Sequence, residues 1–210
     1  NYDHIEYLAY HDTLTNLPNK LAFLDYVNSV LVSSPGAKKM HAIFFIDIDN
    51  FKTINDTLGH EYGDSLLIHT AKILTSIGDN GMLARTGGDE FLVFKENLSS
   101  KDEAINYASN IIERFREPID LDGETVYISL SIGIAIYPDN GLLPNTLIKN
   151  ADIAMYKSKE AGKNRYTMFD SSMEDELNRN ISIIEVLRNA IDNNEIYVKY
   201  QPQYELKSNT

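Results

Sequence analysis

The 210-residue sequence contains no cysteine. Disulfide bonds and thiolate metal centres are therefore excluded, and a reducing compartment is compatible with the chain. No run of about 18 uninterrupted apolar residues occurs, so this segment is expected neither to span a membrane nor to contact one directly. The opening NYDHIEYLAYHD lacks the pattern of a secretory leader. It reads as an amphipathic helix over residues 1–11 that enters from an upstream region, and neither end reads as a natural terminus. Positive charge is scarce: 19 Lys and Arg stand against 31 Asp and Glu, a formal net charge of −12. That balance opposes general binding to nucleic acid, whose phosphates need a basic surface. An acidic chain can still hold a nucleotide where local lysines, backbone N–H groups and a divalent cation meet its phosphates. Internal repeats and low-complexity tracts are absent as well.

What the chain does have is 43% hydrophobic residues, enough for a sizeable core. Residues 12–19 are rich in turn and cap types, and a helix over 20–32 should follow. The run 42–48, short, apolar and branched, predicts a buried central strand. A short helix over 51–58 is closed by Gly59, and apolar spacing predicts another over 63–77. Strands at 82–85 and 90–94 flank Thr86-Gly87-Gly88-Asp89, a strong hairpin signal. A helix over 101–117 ends at Pro118, a long strand covers 126–135, a helix covers 145–160, and a strand at 165–169 closes the pattern. Helices alternate with strands and one hairpin is antiparallel, so the expected class is an α+β sandwich with helices around a mixed five-stranded sheet. Beyond Asp170 the character changes to a charged helix over 171–192 and a strand at 196–201.

Three clusters can carry chemistry. In Asp47-Ile48-Asp49-Asn50-Phe51-Lys52 two carboxylates alternate with apolar residues and point to one face. Such oxygens suit Mg²⁺, with phosphates completing its shell; alternatively, Asp49 caps the next helix. Asp47 lies within the apolar run, where an ionised carboxylate is costly unless a cation or donors meet it. In Gly87-Gly88-Asp89-Glu90-Phe91 the glycines permit close backbone approach to a ligand, although a hairpin with solvated acids has the same sequence. Together the two clusters could place carboxylates from neighbouring strands around one or two metal ions, as metal-assisted nucleotidyl transfer requires. The third cluster, from Lys157 to Arg165, is either a phosphate clamp or a helix end with favourable dipole chemistry and a Gly cap.

In these motifs the chain resembles the GGDEF family of diguanylate cyclases. The resemblance runs from residues 12–19 through 47–56, Gly59-His60-Glu61-Tyr62-Gly63-Asp64, residues 85–91, Ser131-Ile132-Gly133 and residues 151–156 to Asn164-Arg165. It covers about four-fifths of the chain in order. It implies a ferredoxin-like α+β core, similar to the palm of nucleotide cyclases and polymerases, with Mg²⁺ or Mn²⁺ as cofactor. Asp47, Asp89 and the carbonyl of Ile48 would hold the metal, and Asp89 would sit near the attacking 3′-hydroxyl. Asn55 and Asp64 would recognise guanine, and His60, Phe51, Gly87 and Gly88 would lie against the nucleotide. Lys52 and Glu90 would serve catalysis, Lys52 by stabilising phosphate charge, while Lys159 and Lys163 would contact the terminal phosphates. Where many members carry an Arg-x-x-Asp product-inhibition site, this sequence has Gly78-Asp79-Asn80-Gly81, with both charges missing.

The tail, from Leu187-Arg188-Asn189-Ala190-Ile191 to Tyr200-Gln201-Pro202-Gln203, resembles the opening of an EAL-type cyclic di-GMP phosphodiesterase domain. The implied division is an upstream helix end over 1–11, a GGDEF domain over 12–170, and a linker helix with the start of an EAL domain over 171–210. The expected function is condensation of two GTP into cyclic di-GMP with release of pyrophosphate, in a homodimer, in a bacterial cytoplasmic signalling protein with an upstream sensor. The alternatives are a GTP-binding module that regulates the EAL domain and a purely structural dimerisation domain.

Overall fold

The apolar run at residues 42–48 becomes the centre of the fold. In the computed structural model, which describes residues 7–33, 39–78, 80–121, 123–193, 195, 197 and 199–201, β1 (Met40–Ile48) is the middle strand of a five-stranded sheet. Its other strands are β2 (Gly81–Gly87), β3 (Glu90–Leu98), β6 (Leu130–Tyr137) and β7 (Arg165–Met168), in the order β2-β3-β1-β6-β7. All neighbours are antiparallel except β6 and β7, so the sheet is mixed. The helices are α1 (Lys20–Ser33), α2 (Phe51–Leu58), α3 (His60–Ile77), α4 (Lys101–Arg114), α5 (Pro144–Glu160) and α6 (Ser171–Asp192). The class is α+β, as the sequence implies.

Both faces of β1 are covered, which is why its sequence is a continuous apolar run rather than an alternation. Phe44, Ile46 and Ile48 pack with Leu66 and Leu74 of α3 and Ile111 of α4. Ile43 and Phe45 face the other way, onto Phe23 and Val27 of α1 and Leu147 and Ala151 of α5. Fully burying one such side chain stabilises the fold by about 1.5–3 kcal/mol. The α5 helix lies directly on β6 at Gly133. A Cβ there would stand 1.9 Å from the Ala151 carbonyl oxygen and 2.2 Å from the Met155 nitrogen.

Several boundaries differ from expectation. The second long helix begins at His60 rather than Gly63: Gly59, at φ 91°, ends α2 with its N–H on the Asn55 carbonyl (2.9 Å), and α3 starts at once. The strand expected over 126–135 is two elements. Val126 belongs to a small hairpin of β4 (Ile119–Leu121) and β5 (Glu124–Val126), and β6 begins only at Leu130. Residues 127–129 link the two, with Tyr127 exposed, Ile128 buried and the Ser129 carbonyl accepting the Asp49 N–H at 2.9 Å. The helix expected to reach 117 stops at Arg114, where Phe115 buries itself and Arg116 donates to the Glu113 carbonyl at 3.1 Å. Residues 7–10 of the leading helix are helical; residues 1–6, Asp79, Ile196, Val198, Pro202 and Gln203 lie outside the described residues.

The chain divides into two compact units, Asn1–Met173 and Glu174–Thr210. The first holds the sheet. Most of α6 lies in the second, and none of its residues is buried. Among the described residues no helix is long and apolar enough to cross a membrane.

Candidate functional site

Strand pairing gathers the acids at the end of β1. Asp47 stands opposite Glu90 of β3 on one side and Ser131 of β6 on the other. Only 5% of it is exposed. From the end of α5, the Lys159 ammonium reaches its Oδ1 at 2.8 Å. Burial pushes the Asp47 carboxyl up to about 6, and the charges of Asp89 and Glu90 push the same way, against the pull of Lys159. On α5, desolvation and the Glu90 charge also raise the Asp152 carboxyl, against Lys159 and Lys20. Several carboxylates thus share one nearby ammonium from α5.

Asp49 shares that face and does not cap the next helix. The N-cap position of α2 is Asn50, left-handed at φ 60° and without a side-chain cap bond. Asp49 instead accepts the hydroxyls of Ser129 and Ser131, each at 2.6 Å, and the Asn164 N–H at 3.0 Å. It ties β6 and the loop after α5 to the end of β1. In that loop Lys163 and Asn164 are both left-handed, at φ 64° and 48°. The Lys163 ammonium donates to Asn50 Oδ1 at 2.5 Å.

The Gly87-Gly88-Asp89 turn is held from behind. Arg85 donates twice to the Gly88 carbonyl, from Nε at 3.1 Å and Nη2 at 2.6 Å. Its Nη1 meets both oxygens of Asp12, at 2.8 and 2.9 Å. Asp12 also accepts the Thr15 N–H and hydroxyl, at 2.8 and 2.6 Å. Burial alone would raise the Asp12 carboxyl, but these bonds outweigh it and hold the group below the usual carboxylate range. The turn then joins β1 through the Ile48 N–H and the Asp89 carbonyl, 3.4 Å apart. Glu90 accepts the Thr86 hydroxyl at 3.1 Å.

Asp47, Ile48, Asp89, Glu90 and Lys159 therefore come together at one sheet end, with Lys163 on Asn50 beside them. Lys52, His60 and Asp64 are exposed on α2 and α3, Phe51 is buried, and Asn55 is half-buried. The carboxamide oxygen of Asn55 is buried without a partner. Reading the sequence missed Ser129 and Ser131 as partners of Asp49, and Arg85 as the link from Asp12 to the turn. Strand ends and loops distant in sequence carry no local signal for such contacts.

A divalent cation fits this end of the sheet. Asp47 is an acid raised by burial and, less, by the Asp89 and Glu90 charges; Asp89 adds a second carboxylate, and Ile48 lies between Asp47 and the next turn. Among the described residues no three His, Cys, Asp or Glu side chains converge as a complete cage. A hard cation held by one or two carboxylates, with phosphates completing its shell, needs none.

Comparison with known proteins is consistent with this arrangement. The family described as "Diguanylate cyclase, GGDEF domain" matches residues 9–165. Diguanylate cyclase TpbB of Pseudomonas aeruginosa is 42% identical over 157 residues, covering 74% of this chain and 36% of its own length. The solved GGDEF domain of that protein superposes with a TM-score of 0.77 at 38% identity, covering 80% of this chain and 99% of that one. Cyclic di-GMP phosphodiesterase PdeR of Escherichia coli is 36% identical over 203 residues, covering 96% of this chain and 30% of its own length. The chain thus spans about a third of the length of these curated relatives.

Proposed function

The chain belongs to the GGDEF family of diguanylate cyclase domains, and from that membership we propose that it binds GTP with Mg²⁺ or Mn²⁺ and, in a homodimer, condenses two GTP into cyclic di-GMP. Each 3′-oxygen attacks the α-phosphorus of the opposite GTP. A phosphodiester bond forms, the bond to the β,γ-pyrophosphate breaks, and the hydroxyl proton is lost. The observation that carries this reading is Asp47, buried to 5% exposure, flanked by Asp89 and Glu90 and answered by the Lys159 ammonium.

Asp47, Asp89 and the Ile48 carbonyl would hold the cation. When bound it would neutralise phosphate charge and polarise the attacking hydroxyl. Asp89 orients the 3′-hydroxyl and takes up its hydrogen bond, with Glu90 beside it. Lys52, Lys159 and Lys163 face the phosphates, where fixed positive charge stabilises charge growing on the oxygens. Gly87, Gly88, Phe51 and His60 line the nucleotide. Asp64 accepts from the guanine N1–H and N2–H₂ groups, and Asn55 donates to an acceptor on the base. Adenine would leave these groups mismatched.

Residues 12–170 form the GGDEF domain in this reading. Residues 171–210 are a linker helix and the start of an EAL-type domain, residues 1–11 lead from an upstream sensor, and the parent protein works in the cytoplasm. The match to PdeR, which runs over 203 residues where the family itself matches 9–165, supports the assignment of the tail.

A second reading, a GTP-binding module that regulates a phosphodiesterase neighbour, is favoured by the name of that same relative. Incubating the dimerised protein with GTP and Mg²⁺, and assaying cyclic di-GMP and pyrophosphate, separates the two. Product from the native protein but not from Asp89→Asn supports turnover. GTP binding without product assigns the regulatory role, and loss of both would refute either.

A further inference from the structure

Asn55 of α2 meets α3 at Gly63. The backbone of Asn55 is fixed by Gly59, whose N–H donates to its carbonyl at 2.9 Å. Its side-chain oxygen is buried, and no donor reaches it. A Cβ built on Gly63 would stand 1.8 Å from that oxygen, 2.9 Å from Asn55 Cγ and 3.2 Å from Phe51 Cζ. The oxygen therefore occupies the space that any other residue at 63 would fill with its own side chain.

Gly63 is not required by backbone geometry. It is buried within α3, among residues of regular helical conformation, where alanine is the better helix former. A helix-weakening residue at a buried interior position is explained by space, and the space here is taken first by the Asn55 carboxamide, with Phe51 Cζ further off at 3.2 Å. We propose that Gly63 is a positioning residue for base recognition: the missing side chain receives the Asn55 carboxamide oxygen and so sets which end of Asn55 a nucleobase meets. With the oxygen lodged against α3, the NH₂ end is what Asn55 offers to a ring acceptor. Asp64 follows directly in the chain, so the contact that seats Asn55 and the carboxylate that reads the guanine donors share one helical turn. A methyl group at 63 would displace one reader relative to the other. The proposal rests on the reading of Asn55 as a guanine contact and goes beyond it by naming what holds that contact in place.

The test is a cycle of Gly63→Ala, Asn55→Ala and the double variant in the full chain. Affinities for non-hydrolysable GTP and ATP analogues with Mg²⁺ are measured by calorimetry, and thermal midpoints are recorded. Gly63→Ala is expected to weaken GTP binding about tenfold, what one lost base contact is worth, with little change for ATP. In the Asn55→Ala background the same substitution should change GTP affinity less than about twofold, because the side chain it acts through is gone. A folded Gly63→Ala protein with native GTP preference would overturn the proposal. So would an equal loss in the Asn55→Ala background, since Gly63 would then act on something else. If Gly63→Ala alone unfolds, the double variant decides: a thermal midpoint restored to that of Asn55→Ala supports the contact, and an unrestored one overturns it. Should Asn55→Ala itself leave both affinities unchanged, the guanine reading of Asn55 fails first and this role for Gly63 with it.

Discussion

Both rims of the central sheet bury an ionisable group, and the two groups have different surroundings. Where β1 begins, His41 is 1% exposed between the rings of Phe94 and Tyr137, 5.5 and 5.6 Å away. Its Nδ1 accepts the Asn97 N–H at 3.2 Å, and burial lowers its pKa, so the neutral ring is what packs. The nearby Glu96 carboxylate is taken up by the Tyr26 hydroxyl. Where β1 ends, Asp47 is buried almost as deeply, but beside the single Lys159 ammonium it meets further carboxylates, Asp89 and Glu90. The first rim neutralises what it buries. The second gathers like charge, an arrangement that opposes folding and suits a polyvalent cation and phosphates.

That contrast can be broken at its strongest point first. Asp89→Asn should reduce cyclic di-GMP formation by at least about 100-fold, since even outer-shell changes at metal sites cost 10–100-fold. Its thermal midpoint should stay at or above the native one, because a repelling charge is gone. A folded variant with native turnover would mean that the acid rim is not the reacting one.

Next comes the support behind the turn. Arg85→Ala leaves a half-buried Asp12 with only its Thr15 donors and frees the Gly88 carbonyl, and should cost about 2 kcal/mol in denaturant unfolding. Asp12 has a lowered pKa in the folded state, so its contribution is complete above its unfolded value, near 3.9, and is lost as pH falls through the folded one. Asp12→Asn should therefore flatten the acid side of the stability profile below about pH 4; an unchanged slope would show that the pair does not titrate with folding.

Ser131→Ala removes one buried hydroxyl from Asp49 and should cost about 2 kcal/mol. If stability is unchanged, Asp49 is satisfied by its other two donors and the tie to β6 is weaker than its geometry suggests. The smallest effect belongs to the opposite rim. A histidine whose pKa is lowered on folding is stabilising in its neutral form, fully so above the unfolded value near 6.5, and stability falls as pH drops below it. His41→Phe should make that fall shallower by at most about 1.4 kcal/mol per pH unit. A slope that survives the substitution would place the titration elsewhere.

How much of this was legible in the sequence follows from how local each signal is. The β1 run, the Gly-Gly hairpin and α5 are written in contiguous residues, and each forms where expected. Asp47 and Asp89 come near each other because they end adjacent strands, which a hairpin and a buried strand already suggest. The partners of Asp49 lie 80, 82 and 115 residues away, and Asp12 lies 73 residues from Arg85. Nothing in a window of sequence distinguishes those serines from ordinary strand hydroxyls. The break at residues 127–129 was hidden for a related reason: alternation continues through it, and only the pairing of Val126 with Ile119 and of Leu130 with Ile48 shows that the chain has passed from one sheet to another.

Gly133 has a consequence for anyone who surveys this protein by saturation mutagenesis. With the α5 backbone 1.9 Å from where its Cβ would be, every substitution should be rejected as firmly as changes at Asp89, although it lies within β6 beneath α5. An activity screen alone would score the two positions alike and credit Gly133 with chemistry. A parallel screen for cellular abundance would separate them: variants at 133 should vanish from the soluble pool, while Asp89→Asn should persist there as an intact, silent protein.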